Sequence, residues 1–297
     1  MKIGLFGFLG DVNSSRQALA DAAADGYDSY WIPQAFGPDT LTMIALAGQD
    51  TGDMIMGSAV VPTYPRHPQM LAQQALTVNQ AIGDRLVLGI GPSHKVVIEG
   101  QWDISFDKPI RHMREYLEIL MPMLHDQKSR FQGETLSARA DISVPDAPAP
   151  KVMVAALGPQ LLKLTGKMTD GTITWMVGPK TLGELTVPTM NGAAADAGRA
   201  TPQTVAGVPI SVTSDPDAAT ERAAKSFAMY GGLPSYRAML DREGYEGPGE
   251  MAIVGDEETV KARIAEFEAA GVTTFAASPF GGSADRQRTN ELLKSLM

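Results

Sequence analysis

Short apolar segments alternate with longer amphipathic segments along the whole chain. Eight segments have the length and the β-branched or aromatic content of strands, and they cover residues 2–8, 27–33, 54–61, 86–91, 151–157, 171–177, 205–213 and 273–278. Nine amphipathic segments predict helices over residues 14–24, 40–49, 69–81, 109–124, 159–168, 181–197, 216–230, 257–270 and 284–296. This alternation indicates βα units around a parallel sheet. Eight such units in 297 residues predict an α/β fold, a (β/α)8 TIM barrel that forms a single domain over residues 1–297.

Two insertions interrupt the repeat of strand and helix. Residues 125–150 are polar and then proline-rich, which predicts a long loop or a small hairpin after the fourth helix. Residues 231–249 form a second insertion before the eighth unit. The active site of a (β/α)8 barrel lies at the carboxyl ends of its strands, in the loops that follow them. The residues just after the predicted strands are therefore the first candidates for chemistry.

Composition and charge narrow the class of protein further. With 44% hydrophobic and 20% charged residues, the chain can bury a full globular core. A formal charge of −9 without a long run of one sign argues against nucleic acid or an anionic membrane as a partner. Cysteine is absent, which excludes disulfides and thiolate chemistry. No apolar stretch approaches the roughly 18 residues of a membrane span, and the first segment is too short and glycine-rich for a secretion signal, so we expect a cytoplasmic protein.

The segment LVLGIGPSH, residues 86–94, places two glycines one residue apart after an apolar strand. A dinucleotide-binding loop needs a third glycine three residues later and a helix that opens at once. His94 stands where that glycine is needed, and the next helical pattern begins near Pro109. The segment therefore does not match the dinucleotide fingerprint.

The residues that follow the predicted strands are mainly glycine, apolar and aromatic. A barrel that binds a metal or a hydrolytic water needs several carboxylates and histidines at these positions. His94 is the one histidine among them, so no metal site is predicted. This lining suits a large planar cofactor. His94 either exchanges a proton near neutral pH or is a histidine of a surface loop.

Three long segments resemble the luciferase-like monooxygenase superfamily, in its branch that uses the deazaflavin coenzyme F420. They are GSAVVPTYPRHPQMLAQQALTVNQAIGDRLVLGIGPSH, PKVMVAALGPQLLKLTGKMTDGTITW and IVGDEETVKARIAEFEAAGVTTFAASPFG. The resemblance implies an oxidoreductase that transfers a hydride between C5 of bound coenzyme F420 and a small organic substrate: an alcohol, carbonyl, imine or activated alkene. An FMN-dependent monooxygenase, a non-catalytic flavin-binding protein and, least favoured, a metal-dependent hydrolase remain as alternatives.

The resemblance also implies which residues form the site. His94 is the candidate acid or base, with Glu99 as a second candidate. A bulge on the third strand is expected to support the ring, with a cis peptide at Ala59-Val60 or at Ser58-Ala59. The start of the helix at Pro159 exposes free backbone N–H groups that attract a phosphate, unless it is an ordinary βα turn. The candidate cofactor contacts are Gly7, Gln34, Ser58, Ala59, Val60, Gly91, Ser93, Leu157, Gly158, Pro159, Gln160 and Trp175.

Two further features are the residue at the end of the second strand and the low charge of the two helices near it. Many relatives have an acidic residue or histidine at this strand end, whereas this chain has Gln34, which cannot donate and recover a proton as an acid would. The helices predicted over residues 40–49 and 69–81 carry almost no charge, although a solvent-facing helix normally has a charged stripe. This predicts a homodimer through these helices, unless the chain's own insertions cover them.

Overall fold

The structure is a computed structural model that describes residues 1–297. Its strands are β1 (Lys2–Phe6), β2 (Ser29–Ile32), β3 (Ile55–Ser58), β4 (Val61–Pro62), β5 (Leu86–Gly91), β6 (Lys128–Gln132), β7 (Ser137–Asp141), β8 (Lys151–Val154), β9 (Gly171–Trp175), β10 (Gln203–Val212), β11 (Ile253–Gly255) and β12 (Thr274–Pro279). Eight of them pair in the closed order β1, β2, β3, β5, β8, β9, β10, β12. This confirms the predicted (β/α)8 barrel fold.

Helices alternate with these strands. They are α1 (Val12–Ala24), α2 (Thr40–Ala47), α3 (Pro68–Ala81), α4 (Lys95–Trp102), α5 (Pro109–His125), α6 (Pro159–Met168), α7 (Pro179–Thr181), α8 (Val187–Asp196), α9 (Pro216–Ser226), α10 (Ala228–Gly231), α11 (Pro234–Glu243), α12 (Glu257–Ala269) and α13 (Ser283–Ser295). A π-helical turn, Leu182–Thr186, joins α7 to α8, and a 3-10 turn, Pro248–Met251, precedes β11. No helix is long and apolar enough to cross a membrane.

The chain forms two compact units. The first unit comprises Met1–Gly7, Ala24–Trp31 and Ala156–Met297, and the second comprises Phe8–Ala23 and Ile32–Ala155. In the first unit, β10 is buried at nine of its ten positions and pairs in parallel with β9 and β12. Strands covered on both faces are apolar along their whole length, which explains why the sequence predicts β10 so clearly.

The second unit is built around β5, which is buried at every position. It pairs in parallel with β3, where Met56 lies opposite Leu86, and with β8, where Leu88 lies opposite Val152. The insertion over residues 125–150 contains the antiparallel hairpin of β6 and β7, so the hairpin alternative is confirmed. Glu115 of α5 accepts hydrogen bonds from the hairpin turn, at 2.7 Å from Thr135 N and 2.9 Å from Leu136 N.

The structure corrects the sequence-based expectation in several places. Helix α4 begins directly after His94, although no helix was expected before Pro109; only Ile98 of α4 is buried, so the segment has no apolar periodicity to detect. The single strand expected over residues 54–61 is divided into β3 and β4. Strand β11 and helix α11 were not expected, and the helix expected over residues 216–230 is divided into α9 and α10. Although a helix does begin after His94, residues 86–94 still lack the third glycine of a dinucleotide-binding loop.

Candidate active site

Ser58, at the end of β3, is tied to β5 by its side chain. Its hydroxyl donates to Gly89 O at 2.8 Å and accepts from Gly89 N at 2.9 Å. A Cβ on residue 89 would collide with the Ser58 carbonyl oxygen, so only glycine allows the two strands to come this close. The Ser58 hydroxyl is therefore used within the sheet, and its role at the site is to position the residues that follow it.

Those residues form a small apolar shelf, Ala59 and Val60. The peptide bond between them is cis, which confirms the first of the two positions expected. The Ala59 amide donates to Ile32 O at 2.8 Å, and both shelf residues are half-buried. A Cβ on Gly91 would lie 2.8 Å from Val60 Cγ2 and 3.2 Å from Ala155 Cβ. Gly91 thus lets the Val60 side chain lie against the end of β5, and the exposed side of the shelf fits one face of a planar ring.

His94 follows β5 immediately. Ser93 has a φ of 61°, and this left-handed residue turns the chain from the strand into α4. The His94 carbonyl accepts from Val97 N and Ile98 N, both at 2.9 Å, so His94 is fixed at the start of the helix. Its side chain is half-buried, and burial lowers the pKa of the imidazole below its usual value of 6.5. The ring is therefore neutral at pH 7, with one nitrogen that can accept a proton.

The second proton-transfer candidate, Glu99, and the candidate cofactor contact Gln34 both have structural partners. Glu99 Oε1 accepts from Phe106 N at 3.2 Å, and Glu99 Oε2 lies 3.6 Å from Lys95 Nζ. Gln34 Oε1 accepts from Thr40 N at 2.8 Å, which satisfies a free amide at the start of α2. The position of His94 directly after a barrel strand, rather than a lack of partners, makes it the first candidate for proton transfer and Glu99 the second.

Sequence reasoning did not identify a second buried imidazole in the same unit, His112 on α5. Its ring stacks on Tyr64, with centroids 3.9 Å apart and planes 9° apart, and its Nε2 lies 3.0 Å from Thr63 Oγ1. Burial lowers the pKa of His112 to about 4 and raises the pKa of Tyr64 to about 12. The amphipathic pattern of α5 predicts which face of the helix is buried. It does not predict the partners of His112, because these lie nearly fifty positions earlier in the sequence.

In the first unit, α6 begins where a phosphate site was expected. Gly158, Pro159 and Gln160 are exposed, and Leu157 is half-buried. The first bonded amide of the helix is Leu162 N, which donates to Gly158 O at 3.0 Å. The N–H groups that precede it have no partner within the helix, and nothing lies within 4 Å of a Cβ built on Gly158. The N-terminus of α6 therefore has unbonded N–H groups and free space beside it, which suits an anionic group.

Trp175, at the end of β9, belongs to an aromatic cluster of the first unit. Its ring stacks on Phe6, with centroids 4.4 Å apart and an interplanar angle of 17°, and Phe227 meets it edge-on at 5.9 Å. Gly207 makes room for both rings, because a Cβ there would lie 2.9 Å from Phe6 and 3.0 Å from Trp175. One face of Trp175 is therefore already covered by Phe6.

Gly7 lies directly after β1 in the same unit. Its amide donates to Trp31 O at 3.0 Å, which continues the pairing of β1 with β2. A Cβ at this position would lie 2.9 Å from the Tyr30 hydroxyl. A larger residue at this position would therefore displace the Tyr30 hydroxyl. No group of three or more His, Asp or Glu side chains in the structure is arranged to hold a metal ion.

A closed barrel with an apolar shelf and one histidine at its strand ends has its candidate residues where the active sites of such barrels lie. The model of the luciferase-like monooxygenase family matches residues 10–274. The chain belongs to that family and is an enzyme.

Several characterised proteins are similar to the chain. The 5,10-methylenetetrahydromethanopterin reductase of Archaeoglobus fulgidus is 26% identical over 309 aligned positions, which cover 92% of this chain and 91% of the reductase. The coenzyme F420-dependent tetrahydromethanopterin reductase of Methanopyrus kandleri has a similar structure, with a TM-score of 0.82, 22% identity and coverage of 99% and 97%. An F420-dependent secondary alcohol dehydrogenase, solved with an F420-acetone adduct, gives a TM-score of 0.79, 20% identity and coverage of 100% and 99%.

Proposed function

We propose that the protein is a cytoplasmic oxidoreductase that uses coenzyme F420 and transfers a hydride to or from a small organic substrate. The observation that carries this proposal is the half-buried apolar shelf of Ala59 and Val60, in the same compact unit as the neutral imidazole of His94. The F420 dependence of similar proteins supports the choice of cofactor. The substrate class is an alcohol, carbonyl, imine or activated alkene.

The candidate residues of the second unit would contact the ring of the cofactor: Ala59 and Val60 would support one face, and Gly91 and Ser93 would leave room for the ring beside the end of β5. The start of α6 in the first unit is, taken by itself, a candidate phosphate-binding site, through the amides that follow Gly158 and Pro159. The bound deazaflavin would accept or donate the hydride at its C5.

The remaining cofactor candidates have more limited roles. Leu157 and Gln160 flank the phosphate site, and Trp175 would add an aromatic wall. Gly7 and Gln34 would contact the cofactor through the backbone and the side-chain amide, respectively. Ser58 acts on the shelf through its bonds to β5.

His94 would move the proton that accompanies hydride transfer. When an alcohol is oxidised, its carbon loses a hydride and its oxygen loses a proton, which the neutral imidazole can accept. In the reverse reaction the protonated imidazole returns that proton to the carbonyl oxygen. Glu99 is the second candidate for this role, with its carboxylate held between Lys95 and the Phe106 amide.

A second function is an FMN-dependent monooxygenase, because the family model that matches the chain is that of luciferase-like monooxygenases. A deazaflavin reacts poorly with oxygen, so the two cofactors imply different chemistry. A flavin-binding protein without activity is a third candidate, because few acidic residues lie at the strand ends and Gln34 cannot serve as an acid.

Titration of the protein with F420, FMN and NADPH, followed by quenching of Trp31, Trp102 and Trp175, tests the cofactor. We expect saturable binding of F420 and much weaker binding of FMN. Gly158→Glu should weaken F420 binding at least tenfold, because the carboxylate would repel the phosphate. Gly192→Glu is a matched control on another exposed glycine with open space around it. Binding of FMN alone would contradict the proposal, and binding of none of the three would exclude the redox function.

We also propose a homodimer through α2 and α3. Leu46 and Met70 are exposed on these helices, with 46% and 61% of their surfaces accessible. Near the C-terminal end of α3, Gln80 Nε2 donates to Pro145 O of the chain's own insertion at 2.9 Å. We therefore assign the contact between protomers to the surface around Leu46 and Met70.

A further inference from the structure

An apolar groove lies in the second unit, just beyond the ends of β1 and β2. Its walls include Phe8, Leu9, Ile32, Pro33, Pro38 and Met43, and no charged side chain lines it. Phe36 stands between two further lining residues, Ala35 and Gly37. The groove therefore offers only apolar side chains and backbone to whatever binds there.

Two exposed aromatic rings border this groove. Phe8 and Phe36 have 70% and 72% of their surfaces accessible, the highest values among the large exposed apolar residues of the chain. Large apolar side chains exposed together beside a groove indicate a binding site. A typical protein interface uses about 20–30 residues on each side, so this small patch suits part of a small molecule rather than a protein.

One lining residue of the groove, Ile32, is hydrogen-bonded to the shelf that we assign to the cofactor ring. Ile32 forms part of its wall, and the Ile32 carbonyl accepts from the Ala59 amide at 2.8 Å. The polar groups near the groove are engaged elsewhere: Gln34 Oε1 accepts from Thr40 N, and Asp39 pairs with Arg66. An uncharged hydrocarbon group is the ligand that this environment favours.

We propose that the groove binds the hydrocarbon part of the substrate, so that the enzyme acts on neutral alcohols or carbonyl compounds bearing an alkyl chain or an apolar ring. This inference rests on the proposed function for the reaction at the adjacent shelf. Phe8 and Phe36 are then specificity-determining residues, which close over the hydrocarbon and become buried when it binds.

A series of straight-chain 2-ketones from three to eight carbons tests the groove, with dissociation constants measured by ligand-observed NMR. Burial of each methylene should tighten binding by about fourfold. In the Phe8→Ser, Phe36→Ser double variant the gain should fall below about twofold per methylene, because the rings no longer cover the chain. Both side chains are exposed, so the variant should fold as the parent does; its circular dichroism and Tm check this.

Met297→Ser is the matched control. Met297 is also an exposed apolar residue, at 50%, but it lies beside Gly26, which precedes β2. This variant should keep the fourfold gain. Binding that does not depend on chain length in the parent protein, or an unchanged gain in the double variant, would overturn the inference.

The F420 titration on the same samples separates this inference from the proposed function. If F420 binds but chain length has no effect, the groove assignment is wrong and the cofactor assignment stands. If chain length matters but F420 does not bind, the groove is confirmed as an apolar site and the proposed function fails.

Discussion

Two histidines of the second unit, His94 and His112, have lowered pKa values for the same reason, burial, but their surroundings differ. His112 is 6% exposed and packs between aromatic rings, with Thr63 on its Nε2. His94 is half-buried at a strand end, one residue after the left-handed Ser93. A lowered pKa alone therefore does not distinguish the two histidines; we propose His94 for proton transfer because of its place at the end of a barrel strand.

Substitution of His94 and of His112, one at a time, should affect kcat very differently, and this is the largest effect we expect. We expect His94→Ala to lower kcat by about 10²-fold or more, as for lost acid–base catalysis, with little change in cofactor affinity. His112→Phe should keep kcat within about threefold at pH 8, because the ring lies in the core. Steady-state kinetics and the cofactor dissociation constant provide the measurements. Equal losses in both variants would remove the distinction, and a matched loss of binding and rate in His94→Ala would make His94 a cofactor contact.

The pH dependence of stability should single out His112. Its pKa of about 4 in the folded protein lies below the value of about 6.5 in an unfolded chain. The unfolded chain therefore binds the extra proton between these pH values, and the free energy of unfolding falls as the pH is lowered from about 6.5 to 4, by about 2 kcal/mol from this group. Chemical denaturation of His112→Phe should show a smaller loss over this window. An unchanged slope would show that the pKa of His112 does not differ between the folded and the unfolded protein.

The proton-transfer assignment can be tested further at the second candidate. Glu99→Gln keeps an oxygen for the Phe106 amide, so the variant should fold normally. We expect kcat to change by less than about threefold, because we assign the proton transfer to His94. A loss of about 10²-fold in Glu99→Gln, measured beside His94→Ala, would transfer the role to Glu99.

A small effect is expected at the proposed dimer surface. Leu46→Glu combined with Met70→Glu places like charges on a two-fold interface, where they repel their symmetry mates. Light scattering should give about twice the monomer mass for the parent protein and a lower mass for the variant, with kcat per subunit unchanged. A parent protein that is monomeric at micromolar concentration would contradict the dimer.

The sequence predicts elements well where one local feature decides them. Strand β5 was expected with the bounds observed because all of its positions are buried, and α6 was expected with its exact bounds because Pro159 marks its start and its apolar residues recur at helical spacing. Helix α4 was missed since it buries only Ile98.

At the candidate site, the sequence predicts single residues but not their partners. His94 and the cis peptide follow from the strand pattern and the family resemblance. The bonds of Ser58 to Gly89 and the stacking of His112 on Tyr64 join segments 31 and 48 positions apart. Contacts of this kind depend on tertiary packing, which no local pattern contains.

The most direct test of the central claim is anaerobic transfer of deuterium from reduced F420, labelled at C5, to a panel of ketones and aldehydes that includes 2-octanone. We expect one deuterium on the carbinol carbon of the alcohol product, formed without any consumption of oxygen and at a rate lowered about 10²-fold in His94→Ala. Absence of deuterium from every product, together with oxygen consumption and an oxygenated product when reduced FMN and air are supplied, would contradict the account.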